Sequence, residues 1–319
     1  MQSLLAAIIG FSPVLQGLIA AVCVAGLWWG AELVIDGARS LARRLGISEL
    51  IIGLTVVSVG SSFPEIFVNV QAGLSGLSPL GVGNVVGSCL VQISVILGIC
   101  VLVGGPLTET RPSIRRDGGM VVGSIALLYL LGMDGHISVG EAIGMVSLYG
   151  AYILYLTRAP HEKAHHYVTP EQSVWEALAK FALGAVVVWV SSDTLIHIGL
   201  HAGEVLGISP SVIGIMSGIG TSVPELAVSL IALLRRSNGI SIGNLLGSNI
   251  TDPLFSLPMG ALLAGGYSVD SLLLERAIPA WGAISLLVLL VFYFRGRVGR
   301  PVAVLLIALY IGSFWWFLQ

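Results

Sequence analysis

A chain of 319 residues with 55% hydrophobic and 10% charged side chains, a mean hydropathy of +0.95 and a formal net charge of −2 lies outside the soluble class, in which about a quarter of residues are charged. The charge balance leaves no basic surface for nucleic acid and no block of like charge that would act as a binding tail. The chain reads as an all-α, multi-pass integral membrane protein. Its apolar runs approach the roughly 20 residues a helix needs to cross a hydrocarbon core of about 30 Å, and barrel strands would alternate apolar with polar residues instead.

Ten helical spans follow in chain order, at roughly 13–38, 49–74, 79–103, 118–132, 138–157, 174–199, 210–234, 240–264, 274–294 and 301–318. A cleavable signal is not expected before the first, because Met1 to Ser12 shows no basic n-region and no small-residue cleavage site. Cys23, Cys89 and Cys100 sit inside apolar runs without metal-ligand spacing and read as small packing residues. The segment 158–173 contains Pro160 and Pro170 and reads as a cytoplasmic linker between two five-span halves, 1–157 and 174–319. Its His161, Glu162, His165 and His166 read as a solvated loop.

Basic residues remain on the cytoplasmic side of a membrane and so set the orientation. Arg39, Arg43 and Arg44 follow span 1; Arg111, Arg115 and Arg116 precede span 4; Arg158, Lys163 and Lys180 flank the linker. Arg235 and Arg236 close span 7, and Arg295, Arg297 and Arg300 lie between spans 9 and 10. Only Arg276 falls on the other side, so both termini are expected outside the cytoplasm. Asp36 and Glu32 in span 1 and Asp193 in span 6 could line an ion path, with Asp36 alternatively paired to Arg39 or Arg43. Trp315 and Trp316 read as interfacial anchors.

One motif is written twice. Gly60-Ser-Ser-Phe-Pro-Glu65 and Gly83-Asn-Val-Val-Gly-Ser88, ending at Gln92, recur 160 residues later as Gly220-Thr-Ser-Val-Pro-Glu225 and Gly243-Asn-Leu-Leu-Gly-Ser248, ending at Asp252. Trp29 matches Trp189 at the same offset, whereas Leu45-Gly-Ile-Ser48 matches Leu206-Gly-Ile-Ser209 one residue out of step. The second half is therefore one residue shorter between Gly214 and Gly220 than the first between Gly53 and Gly60. With five spans per half, the second copy enters the membrane in the opposite direction. Such an inverted repeat places a transport site near the midplane where the halves meet.

Pro64 and Pro224 cannot bond the carbonyls of Gly60 and Gly220, so each helix is expected to bend or break there. Freed carbonyls are tolerated at membrane depth only inside protein or beside a watery cavity. Glu65 lies four residues after Ser61 and Glu225 four after Thr221, so hydroxyl and carboxylate share a helix face. Ser88 with Gln92 and Ser248 with Asp252 repeat the spacing, and Pro253 releases the carbonyl of Asn249. Gly83, Gly87, Gly243 and Gly247 are small-xxx-small pairs that let helices approach closely. The proline and glycine pattern could shape packing alone, with each acid paired to a base. Two copies in register, with no Lys or Arg in either motif core, speak against that. Three carboxylates with hydroxyls, an amide and carbonyls, and no imidazole, form a site for hard cations such as Ca²⁺.

These doubled motifs resemble the alpha-repeats of the cation/calcium exchanger superfamily, in its prokaryotic-type sodium/calcium exchanger branch, and the resemblance spans the whole ten-helix layout. It implies cation ligands at Ser61, Ser62, Glu65 and Ser88 and at Thr221, Ser222, Glu225, Ser248 and Asp252, carbonyl ligands at Ser58 and Gly218, and Gln92 at the place matching Asp252. Glu65 and Glu225 would be the Ca²⁺ ligands proper, with Asp252 secondary. Cys89 and Gln92 depart from the family's usual Asn and Asn or Asp. Because potassium-dependent exchangers resemble a version with acids at both places, the neutral Gln92 speaks against potassium co-transport.

The expected function is antiport of Ca²⁺ against Na⁺ by alternating access, without a cofactor and without enzymatic chemistry, in a bacterial or archaeal plasma membrane. Its partners are then lipid and inorganic cations, and a monomer suffices for transport. The alternative is Ca²⁺/H⁺ antiport with Glu65 and Glu225 carrying protons. That branch resembles a pattern with an acid in the second motif, where this chain has Ser88 and Ser248. A passive cation channel is a third reading, disfavoured because no selectivity-filter loop is repeated.

Overall fold

A computed structural model describes residues 10–74, 76–158, 173–205 and 218–317. Among these residues the chain is almost entirely helical. It forms α1 (Pro13–Leu45), α2 (Glu49–Ser61 and Phe63–Leu74), α3 (Ser78–Gly104), α4 (111–132) and α5 (Val139–Arg158). The second half supplies α6 (Val174–Val205), α7 (Gly218–Leu234), α8 (238–264), α9 (Leu273–Arg295) and α10 (Arg300–Phe317). The linker with its histidines, and the stretch 206–217 that holds the one-residue slip, lie outside the described residues.

By length and apolarity, six of the described helices suffice to cross a membrane, and the bent α2 makes a possible seventh. Of the remainder, α7 is shorter, while α4 and α8 are long enough but made less apolar by the polar residues they carry, such as Arg115, Arg116 and Asp117 in α4 and Asn249 and Asp252 in α8. This is a multi-pass integral membrane protein. Large apolar side chains lie bare along α1 and α6, including Leu18, Val22, Trp175 and Leu183, and on α10 Trp315 and Trp316 are exposed. In water such a surface would be a liability; in lipid it is the solvent-facing side. α3, by contrast, is mostly enclosed, with Val85, Val86 and Cys89 fully covered.

α1 and α6 pack extensively along each other. Their contact is backbone-close, since a Cβ on Gly184 would meet the Gly30 carbonyl oxygen at 2.6 Å. Arg39 ties α1 to its neighbours by donating to Glu49 at 3.2 Å and to the Arg235 carbonyl at 2.6 Å, and Arg235 itself pairs with Glu32. In α4, Arg116 grips the fully buried Asp117 with two hydrogen bonds of 2.6 and 2.9 Å, and Tyr152 of α5 donates to the same carboxylate at 2.9 Å.

The 160-residue recurrence is visible in three dimensions. Four two-residue strands, β1 (Leu107–Thr108), β2 (His136–Ile137), β3 (Tyr267–Ser268) and β4 (Arg297–Val298), pair across the halves as β1 with β4 and β2 with β3. β3 occupies the place of β1 in the second half and β4 that of β2, so each pairing is the image of the other. Single π-helical turns recur likewise, at Gln92–Ile96 and Asp252–Ser256 and at Ile114–Gly118 and Leu273–Ala277. Such turns are uncommon and concentrate at functional places.

Candidate functional site

The expected helix breaks occur at matched positions. α2 ends its first segment at Ser62 (φ −79°, ψ 11°) and restarts at Phe63 with a bend of 48°. In α7 the matching Ser222 (φ −87°, ψ 8°) precedes the helix Val223–Leu234. Pro64 and Pro224 sit in the first turns of the restarted helices, where a missing N–H costs little. Glu65 and Glu225 therefore stand in the first turn of a helix, at the partially positive end that favours a carboxylate.

The close approach that brings these turns together depends on glycine. A Cβ on Gly243 would lie 2.5 Å from the Leu50 carbonyl oxygen, and one on Gly247 would lie 2.7 Å from the Ser58 Cβ. Any side chain at either place would push α8 off α2. Gly218 makes the corresponding approach of α7 to α3, with a Cβ there only 3.1 Å from the Ser88 nitrogen.

Glu65, Glu225 and Asp252 are all fully buried. Each acid of the doubled motif reaches into the other half: Ser62 donates to Glu225 Oε1 at 3.1 Å and Ser222 donates to Glu65 Oε1 at 3.3 Å. Ser248 stands 3.4 Å from the same Glu225 oxygen and 3.3 Å from Ser62. Ser61 donates to Asn244 Oδ1 at 2.9 Å, and its counterpart Thr221 accepts from Asn84 at 3.2 Å. Ser88 lies 3.0 Å from Thr221 and donates to the Gly218 carbonyl at 3.2 Å. The Ser58 carbonyl is bonded in turn by Ser61 at 3.2 Å, as Gly218 is by Thr221 at 3.3 Å. This match assigns Gly218 as the counterpart of Ser58 despite the slip upstream.

Twelve residues singled out in the sequence, Ser58, Ser61, Ser62, Glu65, Ser88, Gln92, Gly218, Thr221, Ser222, Glu225, Ser248 and Asp252, thus belong to one hydrogen-bonded region between the breaks of α2 and α7 and the middles of α3 and α8. Gln92 and Asp252, related by the same offset of 160, meet each other directly, Gln92 Nε2 donating to Asp252 Oδ2 at 3.2 Å. The Cys89 thiol faces that same oxygen at 3.9 Å.

The second oxygen of every acid, Glu65 Oε2, Glu225 Oε2 and Asp252 Oδ1, is buried without a hydrogen-bond partner among the described residues. The ion pairs at Arg39, Arg116 and Arg235 involve other acids, Glu49, Asp117 and Glu32. Leaving a buried carboxylate oxygen unpaired is costly, so three at one place describe a site whose complement is a cation. No three His, Cys, Asp or Glu side chains among the described residues gather closely enough to hold a metal by themselves. Hydroxyls and carbonyls are interleaved with the acids, and an oxygen-loving ion takes about six to eight oxygen ligands.

Several supporting residues escape a reading of the sequence for acids and hydroxyls. Asn69, four residues after Glu65, donates to the Glu65 carbonyl at 2.9 Å and to Ser256 at 3.1 Å; the i+4 spacing on the motif face was the available signal. Thr251 joins Ser58 at 3.3 Å to Tyr149 at 3.1 Å. The Asn249 carbonyl lies 3.4 Å from the Ser124 hydroxyl. Trp281 donates to the Asn249 side chain at 2.9 Å from within α9, and nothing in the local sequence distinguishes it from an interfacial tryptophan. A crevice of about 220 Å³ runs between α3, α9 and α10 and is lined by Gly83, Asn84, Gly87, Asp270, Leu273 and Tyr310, so it reaches the Asn84 that bonds Thr221.

A family model described as sodium/calcium exchanger protein matches this chain twice, over residues 15–158 and 176–319. CaxA of Alkalimonas amylolytica is 32% identical over 302 residues, covering 90% of this chain and 93% of that protein. The sodium/calcium exchanger MaX1 of Methanosarcina acetivorans is 27% identical over 329 residues, covering 88% and 92%. Among solved structures, the sodium-calcium exchanger NCX_Mj superimposes with a TM-score of 0.82 at 26% identity, covering 95% of this chain and 98% of that one.

Proposed function

Because the chain belongs to the sodium/calcium exchanger protein family, we propose that it exchanges Ca²⁺ for Na⁺ across a membrane by alternating access at the buried acid cluster. The observation that carries this reading is the set of three unpartnered carboxylate oxygens on Glu65, Glu225 and Asp252. The other oxygen of Glu65 and of Glu225 accepts from a hydroxyl of the opposite half, and that of Asp252 from the Gln92 amide. Charge balance supplies the coupling. Three ionised carboxylates offer three negative charges, which three Na⁺ neutralise and one Ca²⁺ nearly does. Both sets together would leave an excess of positive charge in a region of low dielectric, which is expensive. One cargo therefore displaces the other.

In this reading the ten helices are ten spans, arranged as two inverted halves, 1–157 and 174–319, joined by a cytoplasmic linker at 158–173. The family match in two consecutive blocks and the exchanged strand pairs support it. Both termini then lie outside the cytoplasm, and the basic loops face inward. A bacterial or archaeal plasma membrane suits that orientation. The ligand set is Ser61, Ser62, Glu65, Ser88, Thr221, Ser222, Glu225, Ser248 and Asp252, with the carbonyls of Ser58 and Gly218; Glu65 and Glu225 hold Ca²⁺ and Asp252 assists. No cofactor is required, and a single chain contains the whole site.

Calcium flux into proteoliposomes under imposed sodium or proton gradients tests this reading, with Glu65→Gln and Glu225→Gln as controls. A sodium gradient should drive uptake, and both variants should abolish it. Uptake driven by a proton gradient without sodium would assign the coupling to protons instead, and retained exchange in both variants would remove the site from these residues.

A further inference from the structure

Gln92 stands opposite Asp252 at the contact between the halves, and the polarity of its amide is decided by groups behind it. Trp281 carries a donor-only indole N–H, which points at Asn249 Oδ1 at 2.9 Å. The Leu245 carbonyl, an acceptor only, takes a hydrogen bond from Asn249 Nδ2 at 3.0 Å. Both neighbours demand the same orientation of the Asn249 amide. Its Nδ2 therefore faces Gln92, which accepts on Oε1 at 3.0 Å. The Gln92 Nε2 is left to face Asp252 Oδ2 at 3.2 Å and Ser222 Oγ at 3.4 Å. Turning Gln92 over would set its oxygen against the Asp252 carboxylate and its nitrogen against the nitrogen of Asn249, an unfavourable contact on each side.

We infer that Gln92 is not a cation ligand in this chain but a fixed hydrogen-bond donor to Asp252, held in that sense by Asn249 and Trp281 as positioning residues. All five residues of this relay other than Leu245, whose backbone takes part, are fully buried. The relay exists once: the position matching Asn249 in the first half is Cys89, which has no amide to orient and whose thiol faces the same Asp252 oxygen at 3.9 Å. The amide dipole thus supplies part of the positive complement that Asp252 would otherwise take from a monovalent cation. Specificity follows from this, because Asp252 competes less strongly for Na⁺ than an acid facing an open site would. The inference rests on the exchange reading of the site and refines the role of one position in it.

The test is sodium-dependent displacement of radioactive Ca²⁺ from the purified protein, which needs no transport. Gln92→Met removes both the amide donor and the amide oxygen. A ligand role predicts weaker Na⁺ competition in this variant; the donor role predicts the opposite sign, with half-displacement at a Na⁺ concentration lower by about tenfold or more, the range expected for losing one hydrogen bond to a charged group. Asn249→Leu frees Gln92 to turn and should shift Na⁺ competition in the same direction. In the Gln92→Met background the Asn249→Leu shift should vanish, because the residue it positions is gone. Should Asn249→Leu fail to purify as a monodisperse species, Trp281→Phe, which removes the N–H and leaves a smaller aromatic ring, takes its place with the same direction and a smaller shift. Weaker Na⁺ competition in Gln92→Met, or a positioning-variant shift that persists undiminished without Gln92, overturns the inference. If Na⁺ does not displace Ca²⁺ from the wild-type protein at all, it is the exchange reading that fails.

Discussion

Glu225→Gln is the sharpest perturbation of the cluster, because it keeps shape and hydrogen-bonding capacity while removing one of three buried charges. In the wild type Glu225 Oε1 accepts from Ser62 at 3.1 Å and lies 3.4 Å from Ser248, while Oε2 stays free for a cation. An amide can still accept from Ser62 on its oxygen, but its NH₂ then replaces the free oxygen and points a donor at the cation. Removing one partner of a buried, hydrogen-bonded charge pair costs about 2–5 kcal/mol, so Ca²⁺ affinity should fall between about thirtyfold and several thousandfold. Glu65→Gln should fall in the same range, since Ser222 holds Glu65 as Ser62 holds Glu225. Asp252→Asn should cost less, because one Asp252 oxygen already has the Gln92 amide. Equilibrium binding of radioactive Ca²⁺ to purified protein in detergent measures all three. Unchanged Ca²⁺ affinity in Glu225→Gln would refute the assignment of the unpartnered oxygen to the cation.

Three further outcomes follow from the surrounding structure. Asn244→Ala strips Ser61 of one of its two acceptors and Ser229 of its Asn244 donor, and should destabilise the protein by about 1–3 kcal/mol, read as a lowered midpoint of thermal unfolding in detergent. Gly243→Ala drives a methyl group toward the Leu50 carbonyl and should abolish exchange at a cost of about 1–3 kcal/mol, whereas Gly123→Ala, with nothing within 4 Å of its Cβ, should leave flux and stability unchanged. Arg39→Ala cuts the ties from α1 to Glu49 and to the Arg235 carbonyl; it should alter the maximal rate of exchange while leaving the Ca²⁺ concentration for half-maximal flux unchanged, because none of those groups touches the acid cluster.

The doubled motif made the site legible because acids are too costly in an apolar chain to be incidental, and because proline marks a backbone break by its chemistry alone. Ser62 and Ser222 break their helices where Pro64 and Pro224 require it. Local spacing could place Ser61 and Glu65 on one face, yet it could not say that Ser62 would serve Glu225 rather than Glu65. That exchange depends on how the halves meet, and a one-dimensional pattern does not carry it. The same holds for Gln92: its side chain offers an oxygen and a nitrogen, and only Asn249 and Trp281, 157 and 189 residues away in sequence, decide which faces Asp252. The buried pair of Arg116 and Asp117 was hidden for a related reason, since adjacent opposite charges at a helix start read as a solvated end until Tyr152 packs over them.

The central claim is that one cluster holds either Ca²⁺ or Na⁺ and never both. Radioactive Ca²⁺ bound to the purified wild-type protein, measured as Na⁺ is raised at constant ionic strength with choline as the replacement cation, tests it most directly. The account predicts complete release of Ca²⁺ along a cooperative curve, because more than one Na⁺ must enter for each Ca²⁺ that leaves. Ca²⁺ that remains bound at saturating Na⁺, or is lost equally to choline, would contradict it.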